Sequence, residues 1–96
     1  CFGHTHMPYH KTLTDASERD ADLRHAINIG SVGKPKDGDP RACYVLLHLD
    51  DGASPASPAS LRVEFVRVAY DVERAAQAVE KSPLPDAFAD MLRRAY

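Results

Sequence analysis

The residues with the clearest chemical potential are two histidines, His4 and His6, near the start of the chain. In an extended segment, residues i and i+2 point to the same side, so both imidazoles can face one position. Gly3 removes the Cβ that would crowd this position, and Pro8 ends regular strand pairing just beyond it. Because imidazole is a common metal ligand, we predict that His4 and His6 present metal ligands at a strand end and face one cavity.

Alternatives at this segment stay open, because a His-x-His pair also occurs by chance. Cys1 could extend the pair into a Cys-x-x-His-x-His zinc site, since thiolate and imidazole both suit zinc. His48 lies near the end of a predicted strand, and we interpret it as a satisfied or partly exposed histidine rather than a ligand.

Two motifs in order, Gly3-His4-Thr5-His6 and Asn28-Ile29-Gly30-Ser31-Val32-Gly33, are followed by two strands and a helix. This arrangement resembles the C-terminal part of the calcineurin-like metallophosphoesterases, in particular the small bacterial and archaeal phosphodiesterase branch. The resemblance covers nearly all of the chain. It implies that His4 binds one metal of a binuclear site and His6 the other. The expected cofactors are two divalent ions, Mn²⁺ first, with Zn²⁺, Fe²⁺ or Ni²⁺ as alternatives.

The resemblance also implies metal-dependent hydrolysis of small phosphodiesters or phosphomonoesters. The other ligand motifs of that family do not occur in this sequence. We therefore expect the C-terminal portion of a longer enzyme, with the upstream part as its partner and the catalytic proton donor outside this chain. The chain alone should be inactive. The alternative is a truncated fragment or a β-rich interaction module without activity.

A glycine-rich segment, residues 30–40, holds three glycines and two prolines, a density that indicates a shaped loop. Backbone N–H groups at Gly30, Ser31 and Gly33 could form a concave donor set that binds the anionic substrate. A connection without a ligand is the alternative. Basic residues near the loop would suit a phosphoryl group, but acidic residues alternate with them, so we favour a solvated, self-neutralising turn of Lys34, Lys36, Arg41, Asp37 and Asp39.

Composition excludes several classes of function. The formal net charge is -2, and no basic block is present, so we expect no sequence-independent nucleic-acid binding. No apolar run approaches the ~20 residues of a transmembrane helix, so we expect no membrane partner. Cys1 and Cys43 show no framework spacing, which favours reduced thiols in a cytoplasmic protein.

Hydrophobic periodicity predicts an α+β fold for this chain. The chain is either a single domain or, as the resemblance implies, the C-terminal fragment of a metallophosphoesterase domain. Antiparallel strands should be followed by two C-terminal helices that cover one sheet face. By resemblance, this is the C-terminal part of a four-layer αββα sandwich. Both faces of the third strand are apolar, so we expect it to be buried on both sides. The predicted strands are residues 9–13, 23–29, 42–50 and 61–70; the helices are residues 72–81, capped by Asp71, and 88–95; residues 14–22 should form a hairpin loop and residues 51–60 a mobile hairpin tip.

Overall fold

The computed structural model describes residues 1–13, 24–50 and 61–96. Within these residues the elements are β1 (Tyr9–Leu13), β2 (Arg24–Asn28), β3 (Ala42–Leu49), β4 (Leu61–Val68), α1 (Val72–Glu80) and α2 (Ala87–Arg94). The described strands pair as two separate antiparallel sheets, β1 with β2 and β3 with β4, and the two helices follow. The predicted α+β class with two C-terminal helices is confirmed. The predictions for residues 14–22 and 51–60 lie outside the described residues.

The N-terminal segment lies against the end of β2. Phe2 forms a parallel bridge with Asn28. Phe2 N–H donates to Ile27 O at 2.9 Å, and Ile29 N–H donates to Phe2 O at 2.9 Å. Ile27 and Asn28, the last two residues of β2, are buried. The segment that carries His4 therefore starts from a fixed point on the sheet.

The hairpin of β3 and β4 is open over much of its length. Cys43 is buried, but the side chains of Tyr44, Leu47 and Leu49 are 42%, 45% and 68% exposed. The expectation that this strand is buried on both sides is therefore wrong for this chain. The two helices, expected over one sheet face, instead pack mainly against each other.

The two helices form a hairpin at the C-terminal end. The Asp71 carboxylate accepts a 2.9 Å hydrogen bond from Arg74 N–H, which confirms Asp71 as the N-cap of α1. Ala76 of α1 and Ala89 of α2 are fully buried, so small side chains allow the two helices to approach closely. Among the described residues, neither helix combines the length and the apolar character needed to cross a bilayer.

The loop between β2 and β3 is packed between the helices and the N-terminal segment. The Pro35 side chain is fully buried. Gly38 N–H donates to Ala95 O at 2.9 Å, just after α2. The Lys34 ammonium lies 5.1 Å from the centre of the Phe88 ring, within the range of a cation–π contact. These contacts anchor the loop at both ends of α2, through Phe88 near its start and Ala95 just after its last residue.

Candidate metal centre

The two histidines lie on a tightly turned backbone rather than an extended one. His4 has a φ of 73° and His6 a φ of 60°. Thr5 N–H donates to Gly3 O at 3.0 Å, so His4 is the central residue of the rarer, strained form of γ-turn. The extended geometry expected from the sequence is therefore wrong, and the rule that i and i+2 share a side does not apply here. That both imidazoles face one cavity stays a prediction.

Asn28 holds this turn in place. Its side chain is fully buried. Its Nδ2 group donates to Gly3 O at 3.0 Å and to Thr5 Oγ1 at 2.7 Å, and its Oδ1 accepts from Gly30 N–H at 3.0 Å. A buried carboxamide with donors and acceptor engaged offsets part of the cost of the strained backbone. Asn28 therefore joins the histidine segment to the glycine-rich loop.

The His6 ring is oriented by the same loop. Its Nδ1 lies 2.8 Å from Lys34 O, and because a carbonyl oxygen only accepts, Nδ1 carries the proton. In the neutral ring, the lone pair is then on Nε2, where a metal can bind. Lys36 N–H adds a 3.2 Å bond to His6 O. Metal-binding histidines commonly show this pattern of one nitrogen bonded to a backbone carbonyl, so His6 fits the role of a ligand.

His4 lies in a different environment. It is exposed, and among the described residues its ring has no hydrogen-bond partner. The exposed position leaves its imidazole accessible to an ion from solvent. Its assignment as a metal ligand stays a prediction.

The glycine-rich loop lies beside this segment and is largely bonded within the chain. Gly30 has a φ of 73°, and a Cβ there would lie 3.1 Å from Cys43 Sγ and 3.3 Å from Pro8 Cβ. Its N–H is engaged by Asn28. The Ser31 hydroxyl accepts from Lys34 N–H at 2.9 Å. At Gly33, an added Cβ would meet nothing within 4 Å. Substrate binding by Gly30, Ser31 and Gly33 stays a prediction.

The charged residues at the end of this loop are paired in two different ways. Arg41 and Asp39 pair at 2.7 Å. Hydrogen bonds from the Arg41 side chain, and then from its backbone N–H, lower the pKa of Asp39 from 3.8 to about 2. Asp37 pairs with Arg67 of β4. The interpretation of this segment as a self-neutralising turn is therefore confirmed at Asp39 and wrong at Asp37, whose cation comes from a strand outside the turn.

The other histidines of the described residues form hydrogen bonds away from His4 and His6. His48 Nε2 lies 2.8 Å from Glu64 Oε2, as expected for a satisfied, partly exposed histidine. His10 Nε2 and His25 Nδ1 bond across β1 and β2 at 3.0 Å. Within residues 1–13, 24–50 and 61–96, no three His, Cys, Asp or Glu side chains come together as a metal site. The alternative zinc site of Cys1 with both histidines is therefore not formed.

Sequence reasoning missed the residues that shape this site. The sequence places Asn28 in a motif but does not predict that its side chain holds the turn, and it does not predict the contact of the Lys34 carbonyl with His6. Asn28 is a polar residue that directly follows apolar residues at the end of β2. That position could have indicated a hydrogen-bonding role, because a buried carboxamide must find partners. A backbone carbonyl carries no side-chain signal at all.

Comparisons with known proteins support this description of the fold. No family model matches the chain. An uncharacterized protein of Methanocaldococcus jannaschii is 32% identical over 91 residues, which cover 88% of this chain and 34% of the relative. The crystal structure of a metallophosphoesterase from Sphaerobacter thermophilus superposes with a TM-score of 0.70 at 29% identity. That match covers 98% of this chain and 40% of the other.

This chain thus spans about a third of the curated relative, and 40% of the solved structure. Its strands and helices have the fold of a portion of a metallophosphoesterase.

Proposed function

We propose that this chain forms part of a metal-dependent phosphoesterase, in which His4 and His6 are ligands of a binuclear metal centre. The observation that carries the proposal is the 2.8 Å contact of His6 Nδ1 with Lys34 O, which leaves Nε2 to bind an ion. The similarity to a solved metallophosphoesterase over 98% of the chain supports the class of reaction.

The residues of this chain would contribute in three ways. His4 and His6 hold the ions, Asn28 keeps their turn in its strained conformation, and the loop from Gly30 to Gly33 lies beside them. When bound, two divalent ions acidify a water molecule and neutralise charge on the phosphoryl oxygens. We propose Mn²⁺ first, with Zn²⁺, Fe²⁺ or Ni²⁺ as alternatives, and a small phosphodiester or phosphomonoester as substrate.

The proposal assigns the remaining ligands to residues outside this sequence. Two imidazoles lack the oxygen ligands that hard divalent ions prefer, and above all a bridging carboxylate. We therefore expect weak, mononuclear binding by the chain alone and hydrolysis only with the rest of the enzyme. We also propose a cytoplasmic enzyme, in keeping with free thiols at Cys1 and Cys43.

The test compares the chain alone with the chain supplied with the remaining part of the enzyme as a second polypeptide. Hydrolysis of bis-p-nitrophenyl phosphate and p-nitrophenyl phosphate is measured with excess Mn²⁺. We expect no turnover by the chain alone and metal-dependent turnover on reconstitution. His4→Ala and His6→Ala should each suppress it, whereas His48→Ala, a matched control in a contact with Glu64, should not. Robust turnover by the chain alone, or indifference to both His4 and His6, would contradict the proposal.

A further inference from the structure

Arg67 of β4 is the most heavily engaged cation near the loop. Its side chain is 17% exposed and forms an ion pair with Asp37. It also lies 3.8 Å from the Asp39 carboxylate. Its Nη1 donates to the carbonyl oxygens of Asp39 and Arg41, both at 3.4 Å. One guanidinium on a strand thus binds the loop at two side chains and two backbone oxygens.

The loop segment held by Arg67 is continuous with the segment that contacts His6. Asp37, the main partner of Arg67, directly follows Lys36, whose N–H donates to His6 O at 3.2 Å. Lys34, whose carbonyl accepts from the His6 ring, is separated from Lys36 only by the buried Pro35. Proline fixes its own φ, which removes one of the rotations by which a displacement of Asp37 could be absorbed before it reaches the Lys34 carbonyl.

We propose that Arg67 is a positioning residue for His6: by fixing the loop, it holds the Lys34 carbonyl that sets the tautomer and orientation of the His6 ring. The inference rests on the proposed function in one respect, because positioning matters for catalysis only if His6 binds a metal. The effect of Arg67 on the tautomer and orientation of the His6 ring does not depend on whether His6 binds a metal.

Arginine suits this task better than lysine. Its planar guanidinium offers five donors in a fixed fork, which matches two carboxylates and two carbonyl oxygens at once. A lysine ammonium is a point charge with three donors and keeps only part of these contacts. The loop has further anchors, in the bonds from Gly38 to Ala95 and from Lys34 to Ser31. Loss of Arg67 should therefore shift the loop locally rather than unfold the chain.

The test measures the tautomer of His6 by long-range ¹H–¹⁵N correlation spectra of the full chain near pH 8, where imidazoles are neutral. We expect the Nδ1–H form in the native chain. Arg67→Gln should convert His6 to a mixture with the Nε2–H form, and Arg67→Lys should restore the native form in part. Asp37→Asn, which removes the charge of the main partner while keeping Arg67 and one acceptor oxygen, should act in the same direction to a smaller extent. Arg62→Gln, at an exposed arginine of the same strand, is the matched control and should change nothing.

A second readout is the broadening of His6 signals by paramagnetic Mn²⁺. We expect the affinity to fall about tenfold in Arg67→Gln, at the lower end of the range for residues that support a ligand. If Arg67→Gln does not fold, Asp37→Asn and Arg67→Lys decide the question. A native His6 tautomer with native Mn²⁺ affinity in the folded variants would overturn the inference. Absence of broadening at His6 in the native chain would instead contradict the proposed function, while the tautomer data would still test Arg67.

Discussion

Asn28 Nδ2 donates a 2.7 Å hydrogen bond to Thr5 Oγ1, and this bond joins the end of β2 to the turn between the two histidines. Asn28→Asp keeps the shape of the side chain but replaces the bond to Gly3 O with repulsion between two oxygens and buries a charge, although the Thr5 hydroxyl can turn to donate to the new carboxylate. We expect it to lower the free energy of unfolding by about 2–3 kcal/mol, because buried polar groups are left without partners.

Urea denaturation followed by circular dichroism measures this loss. Thr5→Val removes one of the same bonds and should cost about 1 kcal/mol. A loss for Asn28→Asp no larger than that for Thr5→Val would show that Asn28 is not the clamp of the turn.

The glycines of the loop should respond differently to alanine. At Gly30, a positive φ of 73° combines with a Cβ position 3.1 Å from Cys43 Sγ. Gly30→Ala should therefore lose about 2–3 kcal/mol of stability, above the ~1 kcal/mol cost of the left-handed conformation alone. Gly38→Ala isolates that cost, since its φ is 82° and the surrounding space is open.

Gly33→Ala is the matched control, because a Cβ there would meet nothing within 4 Å. Its unfolding midpoint should stay within error of the native chain. If Gly30→Ala cost no more stability than Gly38→Ala, the close approach of Gly30 to Cys43 would be refuted.

The pairing of Arg41 with Asp39 should depend on pH in a defined window. The pKa of Asp39 falls from 3.8 to about 2 in the folded chain, chiefly because of hydrogen bonds from Arg41. A lowered carboxyl pKa stabilises the folded state above the unfolded value, so this contribution is complete above pH ~4 and is lost as pH falls towards 2. Carboxyl ¹³C shifts should give a midpoint near 2, and Arg41→Gln should return it towards 3.8. A midpoint that Arg41→Gln leaves unmoved would exclude the pair as its cause.

The two thiols should differ in reactivity. Cys1 is exposed and Cys43 is buried. Burial raises the pKa of the Cys43 thiol, so less of the reactive thiolate forms. At pH 8, iodoacetamide should modify Cys1 at least about tenfold faster than Cys43, with the sites assigned by peptide mass spectrometry. In urea the two rates should converge; comparable rates in the native chain would mean that Cys43 is not enclosed.

The strands and helices could be predicted from the sequence because each depends on residues within its own segment. Alternation predicted the strands, and a carboxylate followed by apolar residues at helical spacing predicted Asp71 as a cap. The conformation of His4 could not be predicted in this way, since a residue at position 28 holds the turn. The openness of β3 was missed for a similar reason. An apolar pattern reports which side chains favour burial, not which element packs over them.

The contacts of His6 also fix an order of events during synthesis. Its ring bonds to a carbonyl 28 residues later in the chain, and its turn is held by Asn28. The histidines emerge from the ribosome first, but their geometry is complete only after residue 36 has emerged and β1 and β2 have paired. The turn at His4 and the orientation of the His6 ring are therefore late features of synthesis, set by residues 28 to 36 rather than by the histidine segment itself.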